Sequence, residues 1–582
     1  LSKEPKAIAE VFLWQARVFQ RQEKYSEAVK VLGAASEKVV ADPMTPELLF
    51  DLGNNLFGQE KYADAIKPFT RVITQHKTFE YVPDAMRLSS LCLHYEKKFN
   101  ESNQLCAQYL AAHANKPEAA DMVFLQAENL FFLEDHAKAI PAYQKYITAN
   151  AKHTQVKVAK LRIGQSYYQQ EKWSDALKAL APLTELKNNS RIFVEVDFLV
   201  ADCHFRAEAW DQAITFFDEF ATENPKEINA DTALMKSGLA SEKKGDSKTA
   251  ITTYEKLAKG ANYKKSVHLP HALVEIGRLQ YDAKAYSAAR IALQKVIQGH
   301  AASPMKVQAD YYLGWVALGE KKPDEAAKQF GAVADNKPKH ELAPDARLQQ
   351  GMVLLSQRKS AEAQAAHQKF ISNYPSDAKL DQATFYLGKA MAKQNQWDPA
   401  LAQFAKLAAM TKSKLRDRAL YESAWAEKMA GRPAKAMGHY VTLLTKFPQS
   451  ELLEASTFEL AELEFEAAEK GAAAQYDAAI GRLTELVAKT KDPSLLSRAH
   501  YRLGWCHFNK EAFDLAVKSF ETVLAGQPPK EIILPAAYQA GEARLKRKEF
   551  KEAMANYQKA FAADPSDETL HEQAQLRLGE SQ

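Results

Sequence analysis

From Val156 to Tyr167 the apolar residues Val156, Ala159, Ile163 and Tyr167 follow the three-four spacing that lines one face of an α-helix. A polar run, Gln169-Gln170-Glu171-Lys172, interrupts them, and the spacing resumes at Trp173, Ala176, Leu177 and Leu180. The pattern predicts two amphipathic helices joined by a tight turn. The stretch from Lys379 to Leu407 shows the same frame more sharply. It carries Leu387-Gly388, then Trp397-Asp398-Pro399-Ala400, then Phe404 one helical turn further on.

The alanine of the second helix serves as a ruler. Its counterparts are Ala28, Ala65, Ser102, Ala139, Ala176, Ala213, Ala250, Ala289, Ala326, Ala363, Ala400, Ala436, Ala479, Ala516 and Ala553. Of the fourteen intervals eleven are 37 residues, and the others are 39 before Ala289, 36 before Ala436 and 43 before Ala479. A fixed period of this length marks an array of one supersecondary unit rather than several unrelated domains. Twelve residues before each mark stands a small residue: Gly at 53, 164, 238, 277, 314, 351, 388, 504 and 541, Ala at 16, 127, 201 and 424, and Ser90. In the thirteenth unit an insertion makes Ala461 the equivalent, in place of Ala467. Small-to-small spacing across a turn implies two helices in close contact. Four residues past the mark comes a large apolar residue in most units, with Cys106 and His367 as departures.

Polar segments, usually containing proline, separate the units, as in Asn373-Tyr374-Pro375-Ser376-Asp377 and Phe447-Pro448-Gln449-Ser450. Proline stops the helix before it, and the Ser or Asp that follows is expected to cap the next. No segment has the pattern of a strand. On these residues the chain resembles the tetratricopeptide repeat family across essentially its whole length. The shared marks are Leu-Gly on the first helix, an aromatic three before the small alanine, an aromatic four after it, and proline at the exit. The resemblance implies an all-α, right-handed α-solenoid of about fifteen helix-turn-helix repeats, with a concave groove lined by the first helices. The 37-residue period and the Tyr-Pro-Ser and Phe-Pro-Gln-Ser exits are similar to the longer repeats of bacterial cell-envelope members, the TolA-binding cell-division coordinator and the outer-membrane assembly lipoprotein.

One continuous superhelix over residues 1–582 is therefore expected, with irregular junctions near 259–268 and 467–475. The final Leu576-Arg577-Leu578-Gly579-Glu580-Ser581 repeats the start of an ordinary first helix, so the chain is expected to continue past Gln582.

Composition changes this picture little. The chain is 46% hydrophobic and 26% charged, and 77 Lys and Arg nearly balance 73 Asp and Glu. Lysine pairs such as Lys97-Lys98 and Lys321-Lys322 fall in turns, which argues against a nucleic-acid partner. No stretch is long and apolar enough to span a membrane. Cys92, Cys203 and Cys506 each lie two residues past the small residue of a first helix, and with Cys106 they read as packing residues. No nucleotide, nucleophile-elbow or zinc-protease motif occurs. His268 and His271 form an HxxH spacing without further ligands, so no catalytic residue, cofactor or metal is expected.

The candidate site residues are aromatic. Tyr311 and Trp315, Tyr421 and Trp425, and Tyr501 and Trp505 stand three before and one after the small residue, one helical turn apart on one face. The family resemblance implies that those positions look into the groove. Phe50, Phe385 and Tyr538 hold the earlier position elsewhere, beside Asn54, Lys389 and Glu542. Packing on the neighbouring repeat is the alternative role for these rings. Arg17 and Asn54 suit a carboxylate-gripping groove, but Leu91 and Glu128 stand at the matching positions next along. The expected function is a non-catalytic scaffold that binds a protein or extended peptide, in a periplasmic or other cell-envelope setting with the cytoplasm as the alternative. An accessory array of a larger enzyme and a self-assembling structural component are the other classes the sequence leaves open.

Overall fold

The computed structural model describes residues 5–39, 43–184, 191–563 and 568–581, with the side chains of all these except 5–7, 191–193 and 581. Gln582, past which the chain is expected to run on, lies outside them. Among the described residues every regular element is helical: thirty-one α-helices and one short 3-10 turn, with no strand. They form fifteen hairpins and a last helix, Glu568–Ser581. Packing runs between helices consecutive in sequence, with lighter contact to the next but one. This is an all-α repeat solenoid, in which each amphipathic hairpin buries its apolar face on its neighbours.

The chain divides into two compact units, Leu1–Leu279 and Gln280–Gln582. The first holds the hairpins from Pro5–Arg21 with Tyr25–Lys38 to Ala230–Lys244 with Ser247–Lys259. The second holds those from Met305–Gly319 with Pro323–Asn336 to Lys530–Lys546 with Phe550–Ala562.

The small residue of each first helix is a socket. A Cβ placed on Gly53 would lie 2.5 Å from the Phe69 ring, on Gly164 2.4 Å from Leu180, on Gly388 2.5 Å from Phe404 and on Gly504 2.5 Å from Phe520. In each case the partner is sixteen residues on, four past the ruler alanine. The sequence pattern implied small against small, and this is corrected: glycine receives the large side chain, while the alanine is buried one turn earlier on the same helix. At the two departures the socket holds His367 over Gly351 and, in the third hairpin, the fully buried Cys106.

Each turn between paired helices is closed by the same motif. Lys61 N–H donates to Leu56 O at 3.0 Å and Glu60 N–H to Phe57 O at 2.9 Å, the two bonds of a Schellman C-cap. The residue between them is left-handed, yet it is glycine only at Gly245, Gly431 and Gly471. Elsewhere it is Glu60 (φ 59°), Lys97 (58°), Glu134 (58°), Lys321 (60°), Arg358 (62°) or a counterpart.

The exit segments behave differently from expectation. Ser450 and Asp377 do not cap the helices that follow; they stand two residues before the true N-caps, Leu452 and Lys379. Ser450 Oγ accepts from Leu452 N–H at 3.1 Å and donates to Asp417 Oδ2, one repeat back, at 2.5 Å. Ser413 with Asp381 (2.7 Å) and Ser266 with Asp231 (2.6 Å) repeat the tie. At these three exits the serine is thus an inter-repeat clasp.

Both irregular junctions are present. After Lys259 a 3-10 turn, Ala261–Tyr263, takes up the two extra residues. The six extra residues near 467–475 lengthen the hairpin: its helices are Leu453–Glu469 and Gln475–Lys489, joined through Gly471 at φ 109°.

Candidate protein-binding face

Three aromatic pairs occupy first helices of the second unit, and all six rings are half-buried. Five of the six lean on the large residue in the socket of their own hairpin. Tyr311 lies 5.7 Å and Trp315 5.4 Å from Phe330, Tyr421 lies 5.6 Å from Tyr440, and Tyr501 and Trp505 lie 5.8 and 6.4 Å from Phe520. Two tryptophans also meet the hairpin before: Trp315 is 6.5 Å from Tyr281 and Trp425 is 5.6 Å from Trp397. Each pair therefore packs on one side and keeps part of its surface open on the other. The pairs stand on separate hairpins, and no contact joins one pair to the next.

Polar groups fix these rings. The Tyr311 hydroxyl donates to Asp345, which also takes Lys379 of the hairpin after it. Burial and that carboxylate push the Tyr311 hydroxyl above the ordinary phenol range. Lys393 Nζ sits 5.7 Å over the Trp425 ring, a cation-π contact. At the matching positions elsewhere, Phe385 and Tyr538 are buried, and Phe50 stacks on Tyr81 at 5.2 Å. Lys389 lies over Phe385 at 5.5 Å and pairs with Glu422 at 2.9 Å.

In each unit ion pairs join successive first helices. Arg17 reaches Asp51 at 2.9 Å and Glu47 at 2.6 Å, Arg162 reaches Glu128 at 3.0 Å, Lys428 reaches Glu459 at 3.3 Å, and Arg577 reaches Glu542 at 2.9 Å. Arg17, the residue best placed for gripping a carboxylate, is thus already engaged by two. A feature outside the sequence expectation lies in the first unit. Between the first helices Val82–Tyr95 and Ala119–Phe132 a cleft of about 400 Å³ is lined by Arg87, Leu91, His94, Tyr95, Phe124 and Phe132. Its signal was the aromatic five past the small residue, present at Tyr95 and Phe132 and absent from most other hairpins.

The remaining candidates resolve into structure. All four cysteines are buried, and burial pushes the thiols of Cys92, Cys203 and Cys506 up to about 12 and that of Cys106 up to about 11. Such thiols stay protonated and serve as small packing groups. His268 and His271 turn to different partners, Thr232 Oγ1 at 3.1 Å and Glu275 at 3.4 Å. Among the described residues no group of three or more His, Cys, Asp or Glu could hold a metal ion. No helix among them is long and apolar enough to cross a membrane.

Socketed helical hairpins stacked in sequence order define a helical repeat protein. Models of the tetratricopeptide repeat match residues 14–78, 161–228, 274–341 and 454–531, then 232–259, 345–377 and 418–450, and finally 534–567. Together these stretches hold more than half of the chain, which belongs to the tetratricopeptide repeat family. No curated protein sequence matches it. Among solved structures it is similar to a chain of Naa15/Naa10 bound to HypK-THB, at 13% identity and a TM-score of 0.34 over 98% of this chain and 99% of that one. It is also similar to a chain of the APC/C hetero-tetramer Cut9–Hcn1, at 13% identity and a TM-score of 0.28 over 88% of this chain and 99% of that one.

Proposed function

We propose that the chain is a non-catalytic scaffold that holds a protein or an extended peptide against its first-helix face. Tetratricopeptide arrays generally mediate protein-protein interaction, and the observation that carries the reading here is the half-open state of the three Tyr/Trp pairs. A ring already held by Phe330, Tyr440 or Phe520 offers contact area while losing little side-chain freedom on binding. Tyrosine and tryptophan also dominate binding hot spots, because a large apolar body ends in a polar tip. The proposed setting is a bacterial envelope assembly, suggested by the 37-residue period and the Tyr-Pro-Ser and Phe-Pro-Gln-Ser exits.

The test is the triple substitution Trp315→Ala, Trp425→Ala and Trp505→Ala. Its helical content by circular dichroism should stay near wild type. Partners captured by the wild-type chain and identified by cross-linking should be lost. Unchanged capture by a folded triple variant removes this face from the function, and fractionation that finds the protein wholly in the cytoplasm removes the envelope setting.

A further inference from the structure

Two successive exits of the first unit carry aliphatic side chains in open solvent. Ile228, two residues before the helix Ala230–Lys244, is 88% exposed, and Val267, two residues before Leu269–Asp282, is 83% exposed. At the matching position of other exits the residue is polar, as at Glu80, Thr154, Glu341, Glu451 and Lys491, all of them exposed. The two exits are tied together. Ser266 Oγ donates to Asp231 Oδ2 at 2.6 Å, and Thr232 Oγ1 lies 3.1 Å from His268 Nε2. The aliphatic tips therefore stand on neighbouring hairpins at one edge of the array. Three exposed lysines flank them: Lys226, Lys264 and Lys265. None of the three is taken up by an ion pair with a described residue, whereas Lys256 and Lys259 nearby are held by Asp218 and Glu255 at 2.7 and 2.6 Å. Glu227 is the single carboxylate on the two exits, 224–229 and 260–268, which leaves an excess of two positive charges.

We propose that this edge docks on the surface of an anionic lipid bilayer, with Ile228 and Val267 dipping below the headgroups and the three lysines at the level of the phosphates. The shape of the tips and the charge around them select this occupant. Two side chains so free of neighbours offer a rigid protein no flat patch, and they supply a small part of the about 800 Å² that each partner gives to a specific protein interface. A fluid interface needs no such complementarity. It closes around a projecting side chain, and its gain scales with the apolar area it takes in, added to the attraction of basic residues for anionic lipid. Each lysine near the leaflet strengthens that attraction, and its alkyl stem can lie along the acyl boundary while the ammonium stays among the headgroups. Nucleic acid would use the lysines and leave the aliphatic tips in water.

Co-sedimentation of the full 582-residue chain with lipid vesicles tests the docking. The expected result is binding to vesicles of phosphatidylcholine mixed with phosphatidylglycerol, weakening as salt is added, and far less binding to phosphatidylcholine alone. Ile228→Ser with Val267→Ser, and separately Lys264→Gln with Lys265→Gln, should each weaken binding to the anionic vesicles at least about tenfold. Ile291→Ser, a control 56% exposed on a second helix, should leave it unchanged. Every substituted side chain is exposed, so helical content by circular dichroism should match wild type in all three variants. Failure to bind anionic vesicles, equal binding to neutral and anionic vesicles, or binding that survives the serine pair overturns the proposal. Retention on polyglutamate without vesicle binding also overturns it and reassigns the lysines to an acidic protein.

Discussion

Glycine at position 388 is required by what stands opposite it rather than by its own backbone. The Phe404 ring occupies the space a Cβ would need. Alanine fills the same position over Tyr143 (Ala127) and over Phe217 (Ala201), so one methyl is tolerated by a small shift of the ring. Gly388→Ala should therefore stay within about 1 kcal/mol of wild type, because helix propensity offsets the crowding. Gly388→Val should cost about 3 kcal/mol in urea unfolding, since overpacking at a helix contact cannot relax. His367 supplies the second residue-scale test. Burial pushes its imidazole down to about 4, so the fold favours the neutral ring. Its contribution is complete above the ordinary value near 6.5 and is lost as pH falls from there towards about 4, by roughly 3 kcal/mol. His367→Phe, which restores the side chain found at other sockets, should flatten stability against pH in that window by about one proton. The glycine-to-alanine interval of twelve was legible in the sequence. The true contact, sixteen residues long, was legible only in part, because the large residue was visible but its seat was not.

At the scale of the hairpin, the turn was the least legible element. A left-handed residue is normally announced by glycine, whereas here it is usually glutamate or lysine, residues that any polar turn contains. The Schellman bonds outweigh the steric cost of a Cβ in that conformation, about 1 kcal/mol. Glu60→Gly and Glu134→Gly should each raise stability by up to about 1 kcal/mol, and a melting-temperature shift of either sign measures it. The clasp at the exits yields a second prediction. Ser450→Ala and Asp417→Asn in a double-mutant cycle should show a coupling of about 1 kcal/mol, whereas the distant pair Ser450 and Asp381 should show none. The exits were recognisable in sequence from proline and serine. Their partner was not, since it lies 33 residues back and is one of many aspartates.

For the molecule as a whole, stability is a sum over neighbours. Because packing runs from each helix to the next, hydrogen exchange should be slowest in interior hairpins and fastest in the first and last helices. Unfolding followed by circular dichroism and by tryptophan fluorescence should not coincide, as a two-state transition would require. Uniform protection along the chain would contradict this. The all-α repeat class was readable from the 37-residue ruler alone, since period and amphipathicity agree at every level. The role of the six aromatic residues was not, because one ring can both pack on Phe330 and face outward.

The lengthened hairpin at 467–475 shows how such a chain changes length. Six residues fall between Ala461 and Leu483, inside the interval that every other socket keeps at sixteen, and yet Ala461 and Leu483 remain fully buried. The additional residues lengthen both helices towards the closed tip, where Phe465 packs on Tyr476 at 5.8 Å, and leave the socket below in place. Two residues at 261–263 are absorbed between hairpins in the same way. Insertions at tips and junctions, and deletions of one whole period, are thus the edits this lineage can accumulate without refitting a socket. A single residue gained within the packed part of a hairpin would misalign two helices at once, and natural variants should be depleted of it.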